Sequence, residues 1–599
     1  EAMSKQVPTP INMTIDLANG QTHIQTDAGT HTDTWELDTR PDEVAEAMGG
    51  LLAVAPRPPP RGAEETAGVR ELKQLWSFLD RPEGHLVTAN AKASNRVDAG
   101  LRLTCSPDPR ELNPFGGKVG GNTTANLFDG VLLGVPAATQ WASDQEVTLD
   151  LVFEKPVDLL NCQLDAWFAT SSSKGDIFQL ARIRILGGSG PADLKPLIDQ
   201  RDEKIHPSWG TPVRHDLPLA GSVRHLRLIL TPRPGTGVYL AELQLLAKGA
   251  WLDQRRLAGG KPGDPYLCAV LDDLDGDGRD DIVLGGSSGA LLRLDDQGKP
   301  VVRMDCRRTV RALAAVDFTG NGTRTLVAGG DDACVFGFAP DGKALWEYPI
   351  PVYKKRGVVR VLTPMQTAKG QVVLAGADNW RFHALDGKGE YLWHFETVHS
   401  STAACVADLD GDGAQEALLG TSYYWWTAVD QAGKQRWRYR TRGGPGSNVI
   451  AAADLDGDGK QEAFFGGEDT LIQAANGDGK PLWQFNAGDE VTGLLCQDLD
   501  GDGTPEVVAS SLSFNVYALD GKGQVVWRTD LGAPVSHLAA LPGPTLAVTC
   551  ADGTVAVLDA KGTVVARGHV PGAPSALATR GNRLLVTDEV GHATLFEMR

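Results

Sequence analysis

Four acidic loops of nearly the same sequence are the residues most clearly able to do chemistry. Each reads DLDGDGxx(D/E), with carboxylates at positions 1, 3, 5 and 9 and glycines at positions 4 and 6. Because glycine accepts positive φ, the chain can turn tightly and the carboxylates converge. Ligands that are all oxygen select a hard cation, and calcium takes roughly six to eight of them. The predicted ligands are Asp273, Asp275, Asp277, Asp281, Asp408, Asp410, Asp412, Glu416, Asp454, Asp456, Asp458, Glu462, Asp498, Asp500, Asp502 and Glu506.

The alternative is four solvated acidic turns without a cation. Carboxylates packed together without a counter-charge repel one another strongly. The chain has 57 Lys+Arg and 76 Asp+Glu, a formal net charge of −19, and the predicted ligands account for most of that excess. The charge balance therefore favours calcium as the cofactor.

The acidic loops are spaced by a repeat of about 45 residues, the period of a propeller blade. A fifth segment, DFTGNGTRT at 317–325, keeps the shape of the loop but has lost most of its charge. Each unit contains about four short apolar runs with period-two alternation, and many units end in a run with a tryptophan, which together indicate β-strands. The predicted fold class is all-β: an eight-bladed β-propeller over 250–599, with seven blades as the alternative.

The last repeat, 573–599, ends before its outer strand. An open ring would leave exposed sheet edges, so a strand from earlier in the chain should complete it. The first candidate is AWLDQRRLAG at 250–259, and the second is TWELDTR at 34–40.

The acidic loops resemble the FG-GAP calcium repeats of integrin-type propellers and the calcium loops of rhamnogalacturonan-lyase propellers. In those families the loops lie between the first two strands of a blade, away from the ligand-binding face. The resemblance therefore implies calcium ions that stabilise the fold and take no part in catalysis. Calcium outside the cell is millimolar and fills even weak sites. The resemblance therefore also favours a secreted protein, extracellular or periplasmic.

Residues 95–248 resemble a discoidin-like (coagulation factor type C, galactose-binding-like) β-sandwich. The segments that carry the resemblance are NLFDG (126–130), TQW (139–141), VTLDLVF (147–153), VRHLRLILT (223–231) and YLAELQLLA (239–247). The resemblance implies one further calcium, with Asp129 and Glu242 at ligand positions, and a capacity to bind glycans. Residues 1–94 form an N-terminal segment of uncertain structure that could contribute a strand.

Basic and aromatic residues that the repeat does not require fall in loops opposite the acidic turns. Positive charge focused on one face of an acidic protein attracts an anion, and the aromatic run YYWW at 423–426 suits stacking on sugar rings. The alternative for Trp425 or Trp426 is packing between blades, because alternate residues of a strand face opposite sides. The predicted substrate-binding residues are Arg307, Arg308, Lys354, Lys355, Trp380, Arg381, Tyr424, Trp425 and Asn448.

If the anion is a uronate polysaccharide, β-elimination needs three groups. Arg356 or Arg442 would neutralise the carboxylate bidentately, His399 would take the C5 proton, and Tyr423 or Tyr353 would protonate the leaving oxygen. The leading hypothesis is a secreted polysaccharide lyase acting on an anionic polysaccharide, in which case the protein is an enzyme.

Three alternatives stay open. A non-catalytic glycan-binding or adhesion protein would need the same fold and the same face without the proton-transfer pair. A glycoside hydrolase would use two acids from the same face, which carries Glu468, Asp469, Asp489, Asp588 and Glu589. A quinoprotein dehydrogenase is suggested by ALDGKGQVVWRTDLG at 518–532, which resembles the tryptophan docking repeats of those propellers, although the chain has no vicinal cysteines.

The composition excludes other classes of partner. An acidic chain without a basic domain does not bind nucleic acid by its charge, and no apolar run approaches the roughly 20 residues of a membrane helix, so no membrane insertion is expected. The eight cysteines are scattered without a CxxC pair, which excludes zinc ribbons and thioredoxin-type chemistry. We expect a monomer.

Overall fold

The chain folds entirely into β-sheets over the residues that the structure describes. The computed structural model describes residues 12–16, 21–26, 29–34, 95–97, 100–109, 127, 139–141, 144–168, 180–201, 213–217, 219–257 and 264–598. Within these ranges there is no α-helix; 3-10 conformation occurs at Leu127 and at Leu159–Asn161. The predicted all-β fold class with a propeller is confirmed.

Near the N-terminus, three strands form an antiparallel meander. They are β1 (Asn12–Asp16), β2 (Gln21–Thr26) and β3 (Gly29–Thr34). Residues 35–40 of the second candidate for the closing strand lie outside the described residues.

Two sheets pack face to face as a β-sandwich. One sheet has the order β10-β7-β12-β5, and the other has the order β4-β6-β11-β8-β9. Alternate residues of the long strands face inward, so Leu149, Leu151 and Leu228 share one core with residues of the facing sheet. The strands are β4 (Arg102–Ser106), β5 (Thr139–Trp141), β6 (Val147–Asp158), β7 (Cys162–Phe168), β8 (Leu180–Gly188), β9 (Lys195–Arg201), β10 (Val213–Leu217), β11 (Ser222–Pro232) and β12 (Val238–Ala247).

Eight sheets of antiparallel strands follow one another in the rest of the described chain, and we number them blades 1 to 8. Blades 1 to 6 each consist of four consecutive strands. These strands are β15 (Tyr266–Asp272), β16 (Asp281–Gly286), β17 (Ala290–Leu294) and β18 (Pro300–Asp305) in blade 1; β19 (Val310–Val316), β20 (Thr325–Gly330), β21 (Cys334–Phe338) and β22 (Ala344–Pro349) in blade 2; β23 (Val359–Thr367), β24 (Gly370–Ala377), β25 (Arg381–Leu385) and β26 (Tyr391–Glu396) in blade 3; β27 (Ser401–Ala407), β28 (Glu416–Thr421), β29 (Tyr423–Val429) and β30 (Gln435–Pro445) in blade 4; β31 (Ser447–Ala453), β32 (Glu462–Gly467), β33 (Leu471–Ala475) and β34 (Pro481–Asn486) in blade 5; β35 (Val491–Gln497), β36 (Glu506–Ser511), β37 (Asn515–Leu519) and β38 (Val525–Asp530) in blade 6.

Blades 7 and 8 each take a strand from before the ring. Blade 7 contains β39 (Val535–Leu541), β40 (Thr545–Cys550), β41 (Thr554–Leu558) and β42 (Val564–His569), and β13 (Ala250–Trp251) pairs parallel to β42. Blade 8 contains β43 (Pro574–Arg580), β44 (Arg583–Asp588) and β45 (Ala593–Glu597), and β14 (Asp253–Arg256) pairs antiparallel to β45. The innermost strand β15 contacts both β19 and β43, so the ring closes. The segment 250–259 therefore supplies the fourth strand of blade 8.

The blades are held to one another by apolar second strands and by a repeated tryptophan contact. The second strand of blades 4, 5 and 6 is buried along its whole length because both of its faces pack on sheets. In five blades a tryptophan of the outer strand donates its indole N–H to a carbonyl of the next blade, in the turn between the third and fourth strands. The pairs are Trp346 to Gly387 (3.0 Å), Trp393 to Gln431 (2.9 Å), Trp437 to Gly477 (2.8 Å), Trp483 to Gly521 (3.0 Å) and Trp527 to Ala560 (2.9 Å).

Direct hydrogen bonds attach the sandwich to blades 6 and 7. The side-chain amide of Asn95 donates to the Asp530 carbonyl at 2.6 Å, and Arg567 donates to the Leu160 carbonyl at 3.1 Å. The Arg567 guanidinium also lies 4.5 Å from the centre of the Trp251 ring. All eight cysteines are free thiols; burial raises the pKa of Cys162 and of Cys405 to about 11, which keeps both protonated and unreactive.

Candidate functional site

The strand order places the acidic loops and the basic-aromatic loops at opposite ends of the propeller. The acidic loops connect the first strand of a blade to the second. The basic and aromatic residues lie in the turns between second and third strands and in the links from one blade to the next. Because neighbouring strands are antiparallel, these two sets of connections emerge from opposite ends.

In each acidic loop the first aspartate accepts backbone N–H groups of the turn, and the carboxylates at positions 3 and 9 lie close to it. In blade 5, Asp454 accepts the N–H groups of Gly457 at 2.7 Å and Gly459 at 2.9 Å, while Glu462 accepts that of Leu455 at 2.9 Å. Oxygens of positions 1, 3 and 9 come within 4.8 Å of one another in four loops. These triads are Asp273, Asp275 and Asp281; Asp408, Asp410 and Glu416; Asp454, Asp456 and Glu462; Asp498, Asp500 and Glu506.

The aspartates at position 5 lie outside the four triads. Each accepts the backbone N–H of the residue two positions later and so stabilises the turn. The donors are Arg279 to Asp277 (2.8 Å), Ala414 to Asp412 (2.8 Å), Lys460 to Asp458 (2.8 Å) and Thr504 to Asp502 (2.7 Å).

The triads fit a hard divalent cation by their donor chemistry. Each offers oxygen ligands only, as calcium prefers. Burial raises the pKa of Glu462 and of Glu506, and neighbouring aspartates raise both further. A bound cation would remove this electrostatic cost, because it stabilises the charged form of every carboxylate around it.

At the opposite end, six residues of blades 3 and 4 and the link that precedes them form a continuous cluster, which we call the aromatic-basic patch. Its members are Tyr353, Lys354, Trp380, Arg381, His399 and Tyr423. They all belong to the set predicted from the sequence, and the fold brings them together from four separate connections.

One half of the patch is organised by Glu396. The Tyr353 hydroxyl donates to Glu396 Oε1 at 2.7 Å, and Arg381 Nη2 lies 3.5 Å from Glu396 Oε2. The Arg381 guanidinium stacks 3.8 Å from the centre of the Tyr353 ring. The hydrogen bond to Glu396 raises the pKa of Tyr353 and lowers the pKa of Glu396. Glu396 was not singled out in the sequence, because it stands inside an ordinary strand pattern.

In the other half of the patch, three rings lie in a row. The His399 ring lies 5.3 Å from the ring of Trp380 and 5.0 Å, edge to face, from the ring of Tyr423. Lys354 Nζ lies 5.7 Å from the Trp380 ring on the solvent side. Trp380 has a φ of +69°, which costs a residue with a side chain on the order of 1 kcal/mol or more. At the corresponding position, blades 1, 7 and 8 have glycine (Gly289, Gly553 and Gly591), whereas blades 2, 5 and 6 have Ala333, Thr470 and Phe514, also with positive φ.

The other predicted binding residues have different surroundings. Arg307 pairs with Glu347 at 2.5 Å and with Asp332 at 2.7 Å, so its charge is largely satisfied. Lys355 donates to Ser400 at 3.4 Å and Asn448 donates to Glu490 at 2.9 Å. Arg308 lies 3.9 Å from Asp332 and is exposed, and Arg356 is exposed without an ion pair to any described residue.

Of the YYWW run, Trp426 packs between blades. It is 3% exposed and stacks on Phe465 with 4.2 Å between the ring centres. Trp425 is half-buried, with the Arg438 guanidinium 5.1 Å from its ring. Tyr424 and Arg442 belong to β29 and β30, and Glu242 belongs to β12, but their side chains lie outside the described residues, as does Asp129 altogether.

A polar cavity of about 450 Å³ that the sequence did not reveal lies among the innermost strands, at the same end of the propeller as the patch. Its lining includes Arg311 and Arg360, and Arg311 pairs with Asp331. These residues stand at a β-bulge that recurs in each innermost strand. Aligning the repeats on the second residue of the innermost strand would have found them.

One family profile and several solved structures are similar to parts of this chain. A sequence profile of the family described as outer membrane protein assembly factor BamB matches residues 287–462 and 512–598, which is less than half of the chain. No curated protein matches the chain in sequence.

Among solved structures, the computationally designed Ika8 protein is similar at 17% identity and a TM-score of 0.46, over 57% of this chain and 98% of its own. BamB from Moraxella catarrhalis is similar at 16% identity and a TM-score of 0.44, over 58% and 99%. The Dos1 propeller is similar at 12% identity and a TM-score of 0.46, over 58% and 95%. No helix among the described residues is long and apolar enough to cross a membrane.

Proposed function

We propose that the aromatic-basic patch binds an acidic polysaccharide. The observation that carries the proposal is the contact of an exposed cationic side chain, Lys354, with aromatic rings of the patch. Sugar rings stack on aromatic faces, while a uronate carboxylate needs a cation nearby, and both requirements are met within one surface. Lys354 is exposed over Trp380 and Tyr353, which leaves its ammonium group accessible to an anion.

The surroundings of Trp380 support the proposal. Its backbone conformation is shared by Ala333, Thr470 and Phe514, which also have positive φ at this turn in blades 2, 5 and 6, so the argument rests on what the ring contacts. Trp380 is half-buried, and its ring lies 5.7 Å from Lys354 Nζ and 5.3 Å from the ring of His399. Its ring is in contact with both a cation and an imidazole, and a sugar ring would stack there.

A second candidate function, polysaccharide lyase activity, is favoured by the contact between His399 and Tyr423. Their rings lie 5.0 Å apart, so one sugar residue could reach both. His399 would take the C5 proton of a uronate and Tyr423 would protonate the leaving glycosidic oxygen. Arg356 has no ion pair with the described residues and would neutralise the carboxylate.

The rest of the molecule has supporting roles in this proposal. Calcium in the acidic triads would stabilise the propeller without entering the reaction. The β-sandwich would act as a discoidin-like glycan-binding module. Export of the protein would supply both the calcium and the polysaccharide.

The test of binding is affinity electrophoresis on a panel of uronate-containing and neutral polysaccharides. We expect retardation on an acidic polymer, weakened about three- to tenfold by Lys354→Gln and by Trp380→Ala, since exposed charge and stacking contacts are each worth on the order of 1 kcal/mol. Lys388→Gln is the matched control, because Lys388 is an exposed lysine of the same blade at the opposite end. Equal effects of Lys354→Gln and Lys388→Gln would contradict the proposed site.

The test of catalysis follows ultraviolet absorbance of unsaturated uronate together with new reducing ends. A lyase raises both signals, and His399→Ala should abolish them. Reducing ends without absorbance would indicate hydrolysis. Retardation with neither signal would leave the protein a glycan-binding protein.

A further inference from the structure

The acidic loop of blade 1 already contains a counter-charge. Arg293, on β17, has Nη2 2.5 Å from Asp275 Oδ2 and Nε 2.9 Å from Asp281 Oδ1. Its Nη1 donates to the Pro340 carbonyl of blade 2 at 2.7 Å. The side chain is 9% exposed, so the guanidinium is fully engaged inside the protein.

The loop of blade 4 contains another arginine, which comes from a different strand. Arg436, on β30, has Nη2 2.6 Å from Asp410 Oδ2 and Nη1 2.9 Å from Glu416 Oε1. In both loops the arginine bridges the carboxylates of positions 3 and 9. An arginine on the third strand of blade 1 and an arginine on the fourth strand of blade 4 therefore place a guanidinium group at the same position of the loop, between the carboxylates of positions 3 and 9.

The loops of blades 5 and 6 contain no such arginine. Among the described residues, no arginine or lysine pairs with Asp456, Glu462, Asp500 or Glu506. The residues at the two arginine positions are small or apolar there. The strand register aligns Ala474 of blade 5 and Ala518 of blade 6 with Arg293. Leu482 and Val526 stand directly before the outer-strand tryptophan of their blades, as Arg436 does in blade 4.

Blade 2 shows what the turn itself requires. Asp317 accepts the N–H groups of Gly320 at 2.7 Å and Gly322 at 2.8 Å, nearly the same distances as in blade 5. Yet positions 3 and 9 of this loop are Thr319 and Thr325. The turn therefore forms without carboxylates at positions 3 and 9, and acids at those positions need a partner of opposite charge.

We propose that Arg293 and Arg436 occupy the cation position in blades 1 and 4, so that the propeller binds two divalent cations, in blades 5 and 6, and not four. A calcium ion needs oxygens at about 2.3–2.6 Å, and the guanidinium nitrogens already fill that space between the two carboxylates. The inference rests on the calcium sites of the proposed function, and it states which of the loops are sites.

The experiment is a calcium titration of the full chain by calorimetry, which gives the number of cations bound per chain. Terbium luminescence gives an independent measure of the same number. We expect two cations per wild-type chain. Arg436→Leu, which installs the residue type of blade 5, should raise the count to three, and Arg293→Ala, which installs the residue of blades 4, 5 and 6, should do the same. Asp456→Asn combined with Glu462→Gln should lower the count to one.

Four cations in the wild-type chain, or two in a folded Arg436→Leu variant, would overturn the arginine assignment. Because the Arg436 side chain is 29% exposed and a leucine stands at its place in blade 5, this variant carries the test if Arg293→Ala does not fold. No cation bound by any variant would instead overturn the calcium sites of the proposed function, so the two failures are distinguishable.

Discussion

At the scale of single residues, the same side-chain types have different tasks at the surface and between blades. His399 lies half-buried in the aromatic-basic patch, whereas His383 is 1% exposed beside Tyr348 and Asn379. His537 is half-buried and lies 2.8 Å from the hydroxyl of Thr549. Burial lowers the pKa of His383 to about 4, with a further contribution from His394, and burial lowers the pKa of His537 to about 4.

These two histidines predict an acid-sensitive fold. Their pKa values are lowered from 6.5 in the folded chain, so unfolding takes up protons below about pH 6.5. The stability that they contribute is complete above that pH and is lost as the pH falls towards 4. The melting temperature of the wild-type chain should fall as the pH is lowered from 7.5 to 4.5. The melting temperature of the His383→Gln variant should fall less steeply over this range, because glutamine does not ionise.

The control is His569→Gln at an exposed histidine of blade 7, which should retain the wild-type slope. If His383→Gln and His569→Gln gave the same dependence on pH as the wild-type chain, the buried histidine would not be a source of acid sensitivity.

At the scale of elements, blades 2 to 6 are each joined to the next blade by a tryptophan that packs on a glycine. Gly479 has a φ of +78°, and a Cβ placed on it would lie 2.6 Å from the Trp437 ring. The indole N–H of Trp437 bonds the carbonyl of Gly477 in the same turn. The resemblance of 518–532 to a docking repeat thus corresponds to a packing device, because Trp527 makes the same bond to Ala560.

The docking contact predicts losses of stability. Trp437→Phe removes the hydrogen bond and one ring of the indole, so it should cost about 1 kcal/mol of unfolding free energy for the bond together with a further loss of packing. Gly479→Ala both strains the backbone and collides with the ring, so it should cost on the order of 2 kcal/mol or above. Urea denaturation measures both; a Gly479→Ala variant as stable as the wild-type chain would contradict the packing argument.

Calcium removal is the prediction that belongs to the acidic loops. Because a ligand that binds only the folded state stabilises it, chelation should lower the melting temperature by on the order of several degrees. The variant with Asp456→Asn and Glu462→Gln should lose part of this response. An unchanged melting curve on chelation would contradict a stabilising role for calcium.

At the scale of the whole molecule, the ring is closed by a strand that precedes it. The strand β14 pairs with β45 from Asp253↔Glu597 to Arg256↔Thr594, and Leu257 packs in the same core as Leu595. The preceding strand β13 pairs with blade 7. Since β12 ends at Ala247, the chain passes from the sandwich into the ring within a few residues.

Closure predicts that a short segment decides whether the ring is stable. A chain of residues 250–599 should fold as a monomer, whereas one of residues 264–599 would expose the edge of β45 and should associate or aggregate. Size-exclusion chromatography measures the association state of both chains, and neither of them contains the sandwich. Two equally monodisperse chains of equal melting temperature would show that β14 is dispensable.

Much of the fold could be read from the repeats because a blade is a local structure. Strand alternation and the Asp-Gly turns act within a few tens of residues, and the positions of Asp273, Asp408, Asp454 and Asp498 set the period. The site was harder to predict, because loops on separate blades converge only in the ring. The sequence predicted both Arg307 and Lys354 as binding residues. It could not show that Arg307 forms ion pairs with Glu347 and Asp332.

The sequence by itself determined an all-β repeat architecture with recurring carboxylate turns, since glycine spacing and period-two alternation are properties of short segments. The tertiary structure alone decided which charges are free to act. Arg293 and Arg436 lie far from the acidic positions in the repeat pattern, yet strand pairing carries their guanidinium groups into two of the loops. Tyr353 and Glu396 are likewise 43 residues apart and hydrogen-bonded. Charge balance depends on distances through space, and these are fixed only when the blades pack.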